Sequence, residues 1–147
     1  AANLPSAGLS AGPCLYKDTQ QLSSFYSSSF SIGNAAIEVN EKKLVNYICK
    51  TTLQNVMSNR IIILGAAFKA DCDDYRSSLS FKILKSLKLR TDKTIILYDP
   101  LVEHPKVSNT ISVNIKKDYF ILATPNKFFN KIIKKIPKKL LLNIWND

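Results

Sequence analysis

The stretch from Arg60 to Ala67 constrains the fold more than any other. Ile61, Ile62, Ile63 and Leu64 run together without a polar residue, and a glycine and two alanines follow. A strand with one wet face alternates apolar and polar residues. A strand that is apolar throughout is buried on both faces, as in a parallel sheet covered by helices. A charged loop over 68–76 comes next, then a helical pattern over 77–89. There Leu79, Ile83, Leu84 and Leu87 share one face, and Ser77 or Ser78 stands where an N-cap belongs. Further strands are predicted at 94–98, weakly at 111–115, at 119–123 and at 140–145. Residues 101–110 read as loop, and 128–136 as a short basic helix ended by Pro137. Strand and helix alternating through short turns predict an α/β domain, a Rossmann-like parallel sheet with right-handed crossovers.

A different pattern precedes Ser58-Asn59. A long helix is expected from about Ile32 to Val56, with Ile37, Leu44, Val45, Ile48, Cys49, Thr52 and Val56 at helical spacing and Cys49 in the core. A helix of that length suits packing against a partner subunit. Two domains are therefore expected: 1–57, a helical segment, and 58–147, the sheet domain. Ala1 to Ala11 is a small-residue loop, of the kind that lets backbone approach a ligand. Asp18 with Gln21 fits a capping box, which predicts a helix start at Asp18. Cys14, in the turn Gly12-Pro13-Cys14, would then lie near the positive end of that helix with Lys17 beside it. Both features favour a thiolate, and Cys14 reads as a reactive thiol.

Composition narrows the function classes. The chain has 147 residues, 46% hydrophobic and 22% charged, enough for a core. No apolar run approaches the roughly 18 residues that span a bilayer, so no membrane segment is expected. Three widely spaced cysteines suit reduced thiols in a cytoplasmic protein, and no ligand spacing suggests a metal. The net charge is +10, almost all of it after residue 59. Eighteen of the 21 basic residues are lysine, and no aromatics interleave with them, so a solvated face is expected and a nucleic-acid partner is not.

Ligands of such sheets sit at the carboxyl ends of the strands. None of the loops there carries GxGxxG, so this sheet is not the usual dinucleotide-binding half. Lys69 and Arg76 in the loop 68–76 are available for phosphate oxygens. Asp71, Asp73 and Asp74 read as readily as solvated loop acids or helix-dipole partners as they do as part of a site.

Two stretches resemble a known family. Gly12-Pro13-Cys14-Leu15-Tyr16-Lys17-Asp18 is similar to the catalytic cysteine motif of the UDP-glucose/GDP-mannose dehydrogenases. Ile63 to Ser80, ILGAAFKADCDDYRSSLS, is similar to that family's ILG-x-AFK segment, and Tyr98-Asp99-Pro100 to its DP turn. Asn34 to Glu41 resembles its central helix. The resemblance runs from about residue 5 to 146 in the family's order.

The resemblance implies the carboxyl-terminal portion of an NAD-dependent enzyme that oxidises the C6 alcohol of a nucleotide sugar to a carboxylate. It places the end of a central dimerisation domain in 1–57 and a UDP-binding domain in 58–147, with the NAD-binding domain outside this chain. The chain alone is therefore expected not to turn over. By the same resemblance Cys14 is the nucleophile that forms a thiohemiacetal and then a thioester, and Asp18 assists the hydrolytic water. Lys17 and Arg76 face NAD. Pro5, Ser6, Gly8, Gly12, Phe68 and Lys69 contact the UDP-sugar, and the long helix forms a homodimer. Three departures stand out: Ala11-Gly12-Pro13 before the cysteine, Trp145 where many members carry an arginine, and an early end at Asp147. The competing expectation is a stand-alone, non-catalytic module that binds nucleotide sugars or pairs with another subunit.

Overall fold

The computed structural model describes residues 8–26 and 30–145. Helix α1 covers Pro13–Phe25. It starts five residues before Asp18, with Gly12 as N-cap and no side-chain cap bond. Proline explains the shift: its fixed φ suits the first helical position, where its missing N–H is no loss. Asp18 pairs with Lys17 at 3.1 Å. Cys14 thus lies inside the first turn.

The long helix forms as one helical run from Ser31 to Asn55. It comprises α2 (Ser31–Glu38), a π-wound segment over Val39–Leu44, and α3 (Val45–Asn55). The wide turn changes which face is presented partway along the run. Behind it, Val45, Ile48, Cys49 and Thr52 are buried, while Val39 is left exposed. Cys49 is core, as expected, and burial pushes its thiol pKa up.

The sheet holds five strands, all parallel, in the order β3-β2-β1-β4-β5. These are β1 Arg60–Leu64, β2 Thr94–Tyr98, β3 Val107–Ser108, β4 Tyr119–Leu122 and β5 Leu141–Asn143. The apolar run is the central strand, with Ile62 opposite Ile96 on one side and Phe120 on the other. Helix α4 (Leu79–Lys88) is capped by Ser78, whose hydroxyl accepts from the Ser80 N–H at 3.3 Å. On one face of the sheet Ile61, Ile63, Leu97 and Ile121 pack with Ile48 of α3 and with Ile83 and Leu87 of α4. On the other Ile62, Leu64, Phe120 and Leu122 pack with Phe129 and Ile136. Both faces of β1 are dry, which is why its sequence has no alternation.

Three expectations need correction. Residues 111–115 form no strand. Ile111, Val113 and Ile115 pack instead over the second core face, so their alternation reflects cover, not pairing. The edge strand is Val107–Ser108, inside the expected loop. The basic helix is shorter than expected: a 3-10 turn over Lys127–Phe129, then α5, Asn130–Ile133.

Candidate functional site

The carboxyl ends of β1, β2 and β4 meet in a buried polar knot. Gly65 leaves β1 with φ +96°, and its N–H donates to the Tyr98 carbonyl at 2.9 Å. The next two amides, of Ala66 and Ala67, donate to one oxygen of Asp99 at 2.8 and 3.4 Å. The other Asp99 oxygen accepts from the Leu101 N–H at 3.0 Å. The Thr124 hydroxyl, at the end of β4, donates to the Ala67 carbonyl at 2.7 Å. A buried carboxylate persists only with such donors. The amides of Ala66 and Ala67 are thus committed to Asp99, and that of Gly65 to Tyr98, which leaves none of the three for a phosphate.

The loop beyond this knot closes on itself. The Phe68 N–H donates to the Asp74 carbonyl at 2.9 Å. Arg76 grips the Asp74 carboxylate with Nε at 3.0 and 3.1 Å and Nη2 at 2.7 Å, a bidentate fork. Lys69 extends its ammonium over the Phe68 ring, 5.5 Å from the centroid. The Arg76 guanidinium, and then its backbone N–H, hold the Asp74 carboxyl down at about 2. A depressed carboxylate contributes its interaction above its ordinary value of 3.8 and loses it as the pH falls through about 2. A carboxyl-detected NMR titration is expected to place the Asp74 midpoint near 2, and Arg76→Ala to return it toward 3.8. An ordinary midpoint in the parent chain would show that the fork does not persist in solution.

The cysteine turn lies against this loop. A Cβ on Gly12 would come within 3.0 Å of the Phe68 ring. Cys14 is exposed in the first turn of α1. The Arg76 guanidinium is held in its charged form first by Asp74, and Cys14 is a lesser contributor; Lys17 is held first by Asp18, and again Cys14 adds to it. Lys17 follows Cys14 by one turn of α1, and the loop that carries Arg76 meets the cysteine turn through Phe68. A cavity of about 150 Å³ opens beside Gly12, with Ser10, Tyr16, Asn40 and Ser77 among its lining.

Of the expected site residues, Gly12, Phe68 and Lys69 stand together, with Cys14 and Lys17 following Gly12 at the start of α1 and Arg76 closing the loop that carries Phe68. Asp18 is exposed at its pairing with Lys17. Gly8 lies against Trp145, whose ring occupies the space a Cβ would need and whose indole N–H donates to the Ala123 carbonyl at 3.2 Å. Pro5 and Ser6 lie outside the described residues. Asp71 is neither simply solvated nor a dipole partner: its carboxyl accepts from the Lys127 N–H at 3.2 Å and pairs with the Lys127 ammonium at 3.2 Å. Those two contacts, the backbone one first, hold its pKa down. Asn126 had no place in the sequence reading, although it is fully buried at the centre of the knot. Its only sequence signal is a polar residue just after Thr124-Pro125. Among the described residues no cluster of His, Cys, Asp or Glu could hold a metal ion. No helix there is long and apolar enough to cross a membrane.

Comparisons with known proteins identify the family of this fold. Residues 62–146 match the family model described as the UDP-binding domain of the UDP-glucose/GDP-mannose dehydrogenase family. The chain is 34% identical over 95 residues to UDP-glucose 6-dehydrogenase TuaD of Bacillus subtilis, covering 61% of this chain and 20% of that protein. It is 28% identical over 81 residues to UDP-glucose 6-dehydrogenase 2 of Arabidopsis thaliana, covering 53% of this chain and 17% of that one. The chain thus spans a fifth or less of the length of these relatives. Among solved structures it is similar to a UDP-D-ManNAc dehydrogenase from Pyrococcus horikoshii, with TM-score 0.73 and 25% identity over 98% of this chain and 36% of the other. A GDP-mannose dehydrogenase from Pseudomonas aeruginosa shares the fold, with TM-score 0.76 and 17% identity over 97% of this chain and 37% of that one. With more than half of its residues inside the family model and its fold the same, this chain belongs to the UDP-glucose/GDP-mannose dehydrogenase family.

Proposed function

We propose that the chain is the carboxyl-terminal portion of an NAD-dependent nucleotide-sugar dehydrogenase that oxidises the C6 alcohol of a UDP-sugar to the uronic acid. In this reading 1–57 ends the central dimerisation domain and 58–147 binds the nucleotide. The observation that carries it is the meeting of two motifs more than fifty residues apart in sequence: the cysteine turn, at Gly12, rests on the ring of Phe68.

Each residue has a task its surroundings suit. Phe68 and Lys69 meet the nucleotide sugar, the ring against an apolar face and the ammonium on a phosphate oxygen. Gly12 lets the cysteine turn approach without a side chain in the way. Cys14, as thiolate, adds to the C6 aldehyde carbon and gives a thiohemiacetal; loss of a hydride from that carbon leaves a thioester. Asp18 orients the water that hydrolyses the thioester, taking up its proton and freeing the Cys14 thiol. NAD, when bound, accepts the hydride of each oxidation. The turn after β1 does not fit its pyrophosphate, because Asp99 holds those amides. Lys17 and Arg76 are the cations this chain offers to an anionic dinucleotide from outside the sheet. The exposed Ile32, Val39 and Tyr47 of the long helical run suit a homodimer contact.

Calorimetric titration of the chain with UDP, UDP-glucose and GDP-mannose tests the nucleotide site. UDP and UDP-glucose are expected to bind and GDP-mannose to bind at least tenfold more weakly. Lys69→Ala is expected to weaken UDP about tenfold, since a hydrogen bond to a charged group contributes about 1.5–3 kcal/mol. No heat with UDP would sink the assignment of this site.

A further inference from the structure

Asp71 is a non-glycine residue with φ +55°, in the left-handed region. Such a backbone persists only where its surroundings hold it. The holding group is Asn126. Its side-chain oxygen accepts from the Asp71 N–H at 2.6 Å, and its amide nitrogen donates to Asp99 at 3.4 Å. The Asn126 side chain is wholly buried. Its neighbour Lys127 answers from the other side, giving its own N–H to one Asp71 oxygen and its ammonium to the other, each at 3.2 Å. The turn at Asp71 is thus fixed to the exit of β4, while Ala66 and Ala67 are fixed to Asp99 and Thr124. Phe68 and Lys69 occupy the short span between these two anchors.

We propose that Asn126 is a positioning residue: it clamps the strained Asp71 turn against Asp99 and so sets where Phe68 and Lys69 stand for the nucleotide. The part that concerns nucleotide rests on the reading in the preceding section. The clamp does not. Removing the Asn126 side chain leaves Asp99 with three backbone donors and leaves the Asp71 N–H within reach of water, so the sheet keeps its other contacts.

Amide hydrogen exchange and UDP titration, run together on the chain and on Asn126→Ala, separate the possibilities. Exchange at Asp71 is expected to speed up at least tenfold in the variant, with the amides of β1 and β4 unchanged. The dissociation constant for UDP is expected to rise about tenfold. A merely structural role would instead lower the melting temperature and leave the affinity of the folded chain alone. Glycine takes a positive φ without strain. In an Asp71→Gly background Asn126→Ala should therefore cost less affinity than in the parent. Asn126→Ser keeps a polar group in the buried position but is too short to reach Asp71, and serves if the alanine variant does not fold. Unchanged exchange at Asp71, or faster exchange with unchanged UDP affinity, overturns the proposal. If the parent chain binds no UDP while Asp71 exchange still accelerates, the clamp is supported and the nucleotide reading is the part that fails.

Discussion

Gly65→Ala is expected to destabilise the chain by about 2–5 kcal/mol, and Gly65→Val to prevent folding. The glycine leaves the central strand with φ +96°. A left-handed backbone costs a residue with a Cβ about 1–2 kcal/mol. Space adds a second cost. A Cβ here would lie 2.8 Å from both the backbone nitrogen and the carbonyl oxygen of Thr124, and closer still to the Thr124 Cβ. Thr124 cannot step aside. Its N–H donates to the Leu64 carbonyl at 3.1 Å, and its hydroxyl to the Ala67 carbonyl at 2.7 Å. Overpacking of this kind costs about 1–3 kcal/mol. Urea unfolding reads the sum as a fall in midpoint with an unchanged slope. Gly12→Ala supplies the contrast. Its φ of +122° is also costly, but the nearest atoms belong to the Phe68 ring, at 3.0 Å, which can tilt. The loss there should stay near the strain cost alone, about 1–2 kcal/mol. A Gly65→Ala chain with the parent midpoint would mean that the turn after β1 does not press on Thr124.

The two glycines also mark what sequence could and could not convey. The central strand was legible because burial on both faces writes itself into every position of Ile61–Leu64. Local rules also identified α4 and its serine cap, since capping acts within four residues. The start of α1 was misplaced because Asp18 and Gln21 satisfy a capping pattern, while Pro13 decides the matter by fixing its own φ. The alternation of Ile111, Val113 and Ile115 was real but answered to a core surface and not to a neighbouring strand. The polar knot was illegible for a different reason. Asn126 reaches Asp71 across 55 residues of chain and Asp99 across 27. Those meetings follow from strand order, with β4 and β2 on either side of β1. Periodicity and propensity say which segments are strands, and nothing in them orders the strands. Asp99-Pro100 therefore reads only as a turn, although Asp99 is a buried polar side chain. Motif resemblance, by contrast, implies roles for Cys14, Phe68 and Arg76 that neither periodicity nor propensity supplies.

In a nucleotide-sugar dehydrogenase subunit that carries this chain, Cys14→Ala is expected to lower uronate formation by on the order of 10³-fold or more, the scale of losing a covalent nucleophile. The argument begins with what the side chain does not do. Cys14 is exposed at the start of α1, so its loss removes little packing and should leave unfolding within about 0.5 kcal/mol of the parent. What is lost is a sulfur that can make and break a bond to C6. Alcohol oxidation to the aldehyde needs no sulfur, whereas in the proposed function oxidation beyond the aldehyde passes through a thiohemiacetal on Cys14. The variant is therefore expected to release one hydride per sugar and stall, where the parent releases two. Counting NADH against sugar consumed, with the aldehyde trapped by hydroxylamine, distinguishes these stoichiometries. Arg76→Ala supplies a control for position. It removes a cation near Cys14 but no bond-forming atom, so two hydrides per sugar should remain, at a lower rate. Two hydrides per sugar from Cys14→Ala at the parent rate would end the nucleophile assignment, and the cysteine turn would then have to act through its contact with Phe68 alone.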